Sequence, residues 1–318
     1  MTLFKDINFR NIVRLVAFTL PFFSIICVNE KTFQGLKMIK EFTFFQTTSK
    51  MFLSCVLFLF LYYIFSFSEF YVVVASYSFG LTLVFFVSTW MIIRIIRKGN
   101  FSNFVKSKNM FSQSLPMMVS SSVMLLMAWV DSLMIGGFWN EYEVGIYSVA
   151  VKVSFVTSVT LNAVNSILAP KISESFNNNN ISEFKNIVRF TTKLIFYSTL
   201  PLIIVIFVFP DLLLSLFGKE FIEAKVCLLI LAFSQAINCM SGSVGHILNM
   251  TGKEKFFRNL LLCSLIINII LNLLLIPKYG IEGAAIASAS SLIFWNLYSV
   301  FYVYKQYGVL TMINPFRR

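Results

Sequence analysis

Histidine occurs once in these 318 residues and cysteine five times. The lone His246 cannot assemble a metal centre by itself. Cys27, Cys55, Cys227, Cys239 and Cys263 all fall in apolar runs and form no C-x-x-C pair, so neither a zinc site nor a disulfide framework is expected. Charge is scarce as well: 13% of residues are Asp, Glu, Lys or Arg and 58% are hydrophobic, whereas a soluble domain carries about 25% charged residues. No phosphate-cradling glycine loop, no nucleophile–base pair and no long outer loop that could house a glycosyl-transferring site is present. No catalytic residue, cofactor or metal is therefore expected, and the chain reads as a non-enzyme. No cleavage site of small residues follows the first apolar run, so a removable signal peptide is not expected.

What is abundant is apolar sequence, at a mean hydropathy of +0.79. Repeated apolar runs are long enough to cross about 30 Å of hydrocarbon, which gives the class: all-α, a polytopic membrane helical bundle. The runs are continuous rather than alternating over ten residues, which excludes an outer-membrane barrel. Nine spans are expected, at roughly 11–28, 50–67, 70–93, 111–136, 144–168, 190–210, 226–250, 259–276 and 281–304. Arg14 and Pro21 interrupt the first.

Orientation follows from the basic residues of the connections. Nineteen Lys and Arg fall in one alternating set of connections, which includes the C-terminal tail, and three in the other. The rich set is expected to be cytoplasmic, with the C-terminus inside. Nine spans then place Lys5, Arg10 and Arg14 outside, against the same rule. Residues 30–46 mix lysines with Phe33, Leu36, Ile39, Phe42 and Phe45 and are expected to lie as an amphipathic helix on the cytoplasmic face. The basic stretch at 97–110 reads as a linker, dividing residues 1–105, a three-helix partial lobe, from residues 106–318, a six-helix lobe. Ser182 is the expected N-cap of the helix that follows the Asn177–Asn180 run.

The span at 111–136 carries Asp131, and the next carries Lys152. Charges at membrane depth are expensive and usually face a bundle interior or a wet cavity. At 100° per residue Gln113 and Asp131 share one helix face, with Met117, Ser120, Met124 and Met127 within about 40° of it. Such a stripe suits a cavity wall, and packing against a neighbouring helix is the alternative. Lys152 is expected to contact an anion, with Asp131 as its partner or as an ion-coupling site. Asn162 is a further cavity candidate. Asn268 and Asn272 lie one turn apart and are expected to hydrogen-bond between helices. Ala284, Ser288 and Ser291 form a close-packing seam.

Several stretches in order resemble one family: Asp131-Ser-Leu-Met-Ile-Gly, Glu143-Val-Gly-Ile-Tyr-Ser-Val-Ala, Asn165-Ser-Ile-Leu-Ala-Pro-Lys-Ile-Ser, Leu248-Asn-Met-Thr-Gly-Lys, and the run from Asn272 to Ala287. The sequence is similar to polysaccharide biosynthesis flippases, O-antigen repeat-unit translocases in particular, of the multidrug/oligosaccharidyl-lipid/polysaccharide exporter superfamily. The resemblance implies two six-helix lobes with an alternating-access cavity between them, and hence three further helices before the first lobe's remainder. It implies an undecaprenyl-diphosphate-linked oligosaccharide as substrate, a cationic and polar cavity, membrane lipids as surroundings and polysaccharide polymerase machinery as a partner, with no nucleic acid. The alternatives are a cation-coupled multidrug exporter of the same superfamily and an inactive or accessory membrane fragment.

Overall fold

In a computed structural model the backbone is described for residues 7–64, 69–98 and 107–312, and the side chains there except at 7–16, 47, 64, 69–71, 98, 107–110 and 113. Most of the basic linker and the side chains of Lys5, Arg10, Arg14 and Gln113 lie outside the described residues. The described residues are helical almost throughout and contain no strand. The chain divides into two compact units, Met1–Phe104 and Val105–Arg318.

The first unit holds α1 (Ile7–Gly35), the short α2 (Ile39–Thr43), a π-helical turn at Phe44–Thr48, α3 (Ser49–Ile64) and α4 (Glu69–Lys98). Helix α1 runs unbroken through Pro21. The stretch at 30–46 is not one amphipathic surface helix. Lys37 takes φ 60° and breaks it, and Phe33, Phe42 and Phe45 turn inward to pack with Ile26, Leu81 and Val84. Three large aromatic rings contribute more when buried against α1 and α4 than when spread on an interface. Lys50 is likewise not a free loop charge. Its ammonium lies 2.5 Å from Glu30 Oε1 and sits over the Phe23 ring. Asn29 Nδ2 donates to Ser88 Oγ and Thr89 Oγ1, both at 3.1 Å, tying α1 to α4.

The second unit holds α5 (Ser107–Phe138), α6 (Glu141–Asn177), α7 (Ile181–Val208), the short α8 (Pro210–Ser215), a 3-10 turn at Lys219–Ala224, α9 (Lys225–Ser241), α10 (Val244–Met250) and α11 (Glu254–Tyr307). Its caps are sequence-encoded. Asn140 Oδ1 accepts from the Glu143 amide at 2.9 Å to start α6. Asn180, rather than Ser182, starts α7: its Oδ1 accepts from the Glu183 amide and also from the Ser182 hydroxyl. The side-chain oxygen two or three residues ahead of the first free amides makes the better cap.

Helix α11 has 54 residues, about 80 Å at the helical rise and far more than one crossing needs. Gly280, at φ 55° and ψ −132°, breaks it into two arms. The arms fold back on each other. Phe256 stacks on Tyr302 at 3.7 Å, Ser264 Oγ donates to the Ser291 carbonyl, and Asn268 Nδ2 reaches Ser288 Oγ at 3.4 Å. Each pair moves inward by similar steps from both sides, the signature of an antiparallel hairpin. At its tip the Trp139 indole N–H donates to the Ile276 carbonyl at 3.1 Å.

The span expected at 226–250 is two helices. Gly242 takes φ 71°, and the pair bends by 44° between Lys219–Ser241 and Val244–Met250. A β-carbon at Gly242 would meet Thr192 Oγ1 at 2.5 Å, so the glycine is needed for both conformation and space. Among the described residues five helices are long and apolar enough to cross a membrane, or seven if each of two bent pairs is one span, with both arms of α11 inside one of them. The chain is a multi-pass helical membrane protein.

Candidate functional site

Two apolar clusters brace the second unit. One gathers Ile135, Ile146, Leu228 and Ala284. The other gathers Val123, Ile172, Leu248 and Val303. Along α6, α9 and the second arm of α11, the residues between these clusters are polar and line a cavity of about 630 Å³. Its wall includes Asp131, Tyr147, Ser158, Asn162, Asn165, Gln235, Asn238, His246, Asn249 and Ser288. Gly242 and Ser243 also line it, so the break between α9 and α10 faces the cavity. Broken helices at membrane depth are tolerated where their freed backbone lines such a space.

Asp131 is 4% exposed. Its Oδ2 accepts from Tyr147 Oη at 2.8 Å and from the Ser288 hydroxyl. Its Oδ1 accepts from Asn272 Nδ2 at 2.7 Å and Asn268 Nδ2 at 3.2 Å. Four donors from α5's neighbours α6 and both arms of α11 thus converge on one carboxylate, about as many as its lone pairs can take. A buried polar group needs such partners, and these four satisfy both carboxyl oxygens. Among the described residues the ion pairs are Lys50–Glu30 and Lys225–Asp211, and Asp131 is in neither. Asn272 Oδ1 is buried and accepts no hydrogen bond.

The pairing of Asp131 with Lys152 is therefore corrected. Lys152 is exposed and is not among the residues lining the cavity. The reason is rotational. Tyr147 faces Asp131, and five residues further the helix has turned by about 140°. Lys152→Gln is accordingly expected to change the unfolding free energy by less than about 0.5 kcal/mol. Combined with Asp131→Asn it should act additively, and a double variant milder than the single Asp131→Asn in a thermal melt would restore the pair.

The other expected site residues divide. Asn162 lines the cavity, as do Met124 and Met127 of the α5 stripe. Ser120 is buried and donates to the Pro116 carbonyl at 3.0 Å, away from the cavity wall. His246 is on the wall as well. The expectation of a cationic cavity is not met here: among the described residues no Lys or Arg lines it.

Tyr147, Ser154, Ser158 and Asn165 line the cavity from α6, and sequence reasoning passed over the first three. They lie within about 40° of one another on the helix, so the stripe was present at helical spacing. Gln235 and Asn238, on α9, were missed too. Ser158 Oγ donates to Gln235 Oε1 and so does Asn238 Nδ2, each at 3.1 Å. Asn165 Oδ1 accepts from the Ser243 hydroxyl, pinning the break to α6.

Residues 1–176 match the family described as polysaccharide biosynthesis protein, and residues 116–274 match MatE. The capsular polysaccharide biosynthesis protein CapF of Staphylococcus aureus is 28% identical over 262 residues, covering 80% of this chain and 64% of CapF. A probable low-salt glycan biosynthesis flippase of Haloferax volcanii, Agl15, is 28% identical over 197 residues, covering 62% of this chain and 41% of Agl15. The chain thus spans between two fifths and two thirds of the length of these relatives. In fold it is similar to a MATE protein in complex with MaL6, at a TM-score of 0.71 and 14% identity over 93% of this chain and 69% of that one. An outward-facing multidrug resistance MATE family transporter gives 0.68 at 13% identity, over 82% and 61%.

Proposed function

The chain belongs to the polysaccharide biosynthesis protein family of the multidrug/oligosaccharidyl-lipid/polysaccharide exporter superfamily, and from that we propose that it is a transporter, not an enzyme, that flips undecaprenyl-diphosphate-linked oligosaccharide repeat units across the bacterial cytoplasmic membrane for surface polysaccharide. The observation that carries this reading is the cavity inside an apolar bundle, walled by amides and hydroxyls. Such a wall suits a polyhydroxylated cargo, while the polyprenyl chain stays in lipid. Alternating access supplies the movement, by rocking of lobes about the site. Asp131 is then the ion-coupling candidate, because its carboxyl group is buried at membrane depth and held by the side chains of Tyr147, Asn268, Asn272 and Ser288.

Multidrug export is the second reading. It is favoured by a carboxylate on the wall and, among the described residues, no Lys or Arg there, a balance that attracts lipophilic cations. Against it, both Asp131 oxygens are already engaged, so a drug cation would have to displace their donors. Reconstituted protein and two cargoes decide between them. Flipping of a fluorescent lipid-linked oligosaccharide without uptake of ethidium supports the first reading, and the reverse pattern supports the second.

The proposed orientation keeps the C-terminus cytoplasmic. In a cysteine-free background, Glu141→Cys at the exposed start of α6 should react with an impermeant thiol reagent added outside, and Asn178→Cys should not. Glu141 is used because it leaves the Asn140 cap intact. The opposite labelling pattern would invert the topology.

A further inference from the structure

We infer that the cavity of the second unit reads the neutral sugar hydroxyls of the cargo and does not hold its diphosphate. The inference rests on the flippase reading and divides the substrate between sites. At about 630 Å³ the cavity is in the size range of small-molecule sites. Its polar wall combines serine hydroxyls with five carboxamides: Asn162, Asn165, Gln235, Asn238 and Asn249. An amide presents donors and an acceptor side by side, and a sugar hydroxyl does the same. A phosphate only accepts, so half of each amide would be opposed to it.

Charge points the same way. The formal charge on this wall is the carboxylate of Asp131, and no Lys or Arg among the described residues offsets it. A diphosphate would meet a like charge in a low-dielectric space, where repulsion is several times that in water. Phosphate sites are instead built from arginine, lysine or helix N-termini.

Two of the amides have capacity to spare. Asn249 Oδ1 is buried with no hydrogen-bond partner, a state that costs about 1–3 kcal/mol and that a ligand hydroxyl would relieve. Asn162 lines the cavity from an exposed position and makes none of the side-chain bonds that lock Asn165 to Ser243 or Asn238 to Gln235. Trp295 and Phe257, edge to face at 5.8 Å, supply aromatic surface beside them. Rings of that kind accept the apolar faces of sugars while the amides fix the hydroxyls.

The test uses the purified protein in nanodiscs, titrated with two lipids by tryptophan fluorescence. One is undecaprenyl diphosphate carrying a neutral trisaccharide; the other is undecaprenyl diphosphate alone. The sugar-bearing lipid is expected to bind at least about tenfold more tightly. Asn162→Ala and Asn249→Leu should each remove much of that preference and leave the affinity for the sugar-free lipid unchanged. Asn162→Ala removes an exposed side chain, so its melting temperature should match the unaltered protein and exclude misfolding as the cause. Equal affinity for the two lipids, or a parallel loss of both in the variants, overturns this inference while leaving the flippase reading standing. Binding of neither lipid overturns both.

Discussion

Asp131→Asn is expected to yield a folded protein whose transport falls by at least about tenfold, whereas Asp131→Leu should not accumulate as folded protein at all. The difference follows from the four donors aimed at the carboxylate. Asparagine keeps the shape and one acceptor oxygen. Its amide nitrogen then faces groups that were donating, but Tyr147 and Ser288 carry hydroxyls, which can turn and accept. The net cost is about 1–2 kcal/mol, the scale of one compromised buried hydrogen bond. Leucine accepts nothing. It leaves four donors facing hydrocarbon, at about 1–3 kcal/mol each, against a total stability of about 5–15 kcal/mol.

The asparagine variant therefore separates two roles for Asp131. A purely structural carboxylate predicts a small loss of melting temperature and transport near the original rate. A carboxyl group that takes part in coupling predicts the same small loss of melting temperature together with a transport rate cut by at least about tenfold. Counterflow of labelled lipid-linked oligosaccharide, which needs no driving ion gradient, should be spared more than uphill transport. Equal rates in both assays for Asp131→Asn and the unaltered protein would remove Asp131 from the mechanism.

Much of the bundle was legible because hydrocarbon imposes so narrow a grammar. With every backbone group needing an internal partner, a long apolar run has to be helical: the runs at 111–136 and 144–168 fall within α5 and α6, and the run at 190–210 follows α7 to its end at Val208. Asp131 was legible for a related reason: a carboxylate in such a run has to find donors. Which donors it found was less legible. Asn268 and Asn272 were read as an interhelical bonding pair, and they are one, but their partner lies 137 and 141 residues earlier in the chain. Helical spacing gives the face a residue occupies, never the helix that face meets.

The same limit explains Lys152. Depth along a helix brings Asp131 and Lys152 to comparable levels, yet rotation about the axis separates them, and only the position of Tyr147 fixes which side of α6 faces α5. Gln235 and Asn238 were passed over because they are uncharged and common in membrane helices as bonding groups. Their meaning comes from Ser158 across the cavity. The break at Gly242 had a local signal, the run Ser241-Gly-Ser-Val-Gly245. A hydropathy window averages across such a run and returns one span.

Gly283→Val is expected to lower the unfolding free energy by about 3 kcal/mol or more, the upper range for forcing atoms into a packed interior. A β-carbon at Gly283 would lie 2.5 Å from the Leu275 carbonyl oxygen, 2.6 Å from its carbon and 2.9 Å from the Ile276 nitrogen. These are backbone atoms of the opposing arm, so no side chain can swing aside. The two arms of α11 would have to part near their tip. One arm carries Asn268 and Asn272 and the other carries Ser288, all three on Asp131. Parting the arms therefore pulls donors from a buried charge, and the damage at the tip is transmitted to the site. Gly145→Ala is the matched control. Nothing lies within 4 Å of its would-be β-carbon, and alanine in a helix is worth up to about 1 kcal/mol over glycine. In thermal melts followed by fluorescence and size-exclusion chromatography, Gly283→Val should unfold well below the unaltered protein and Gly145→Ala at or above it. A Gly283→Val protein that melts with the unaltered one would show that the arms do not approach this closely, and the Asp131 network would then lose the hairpin that assembles it.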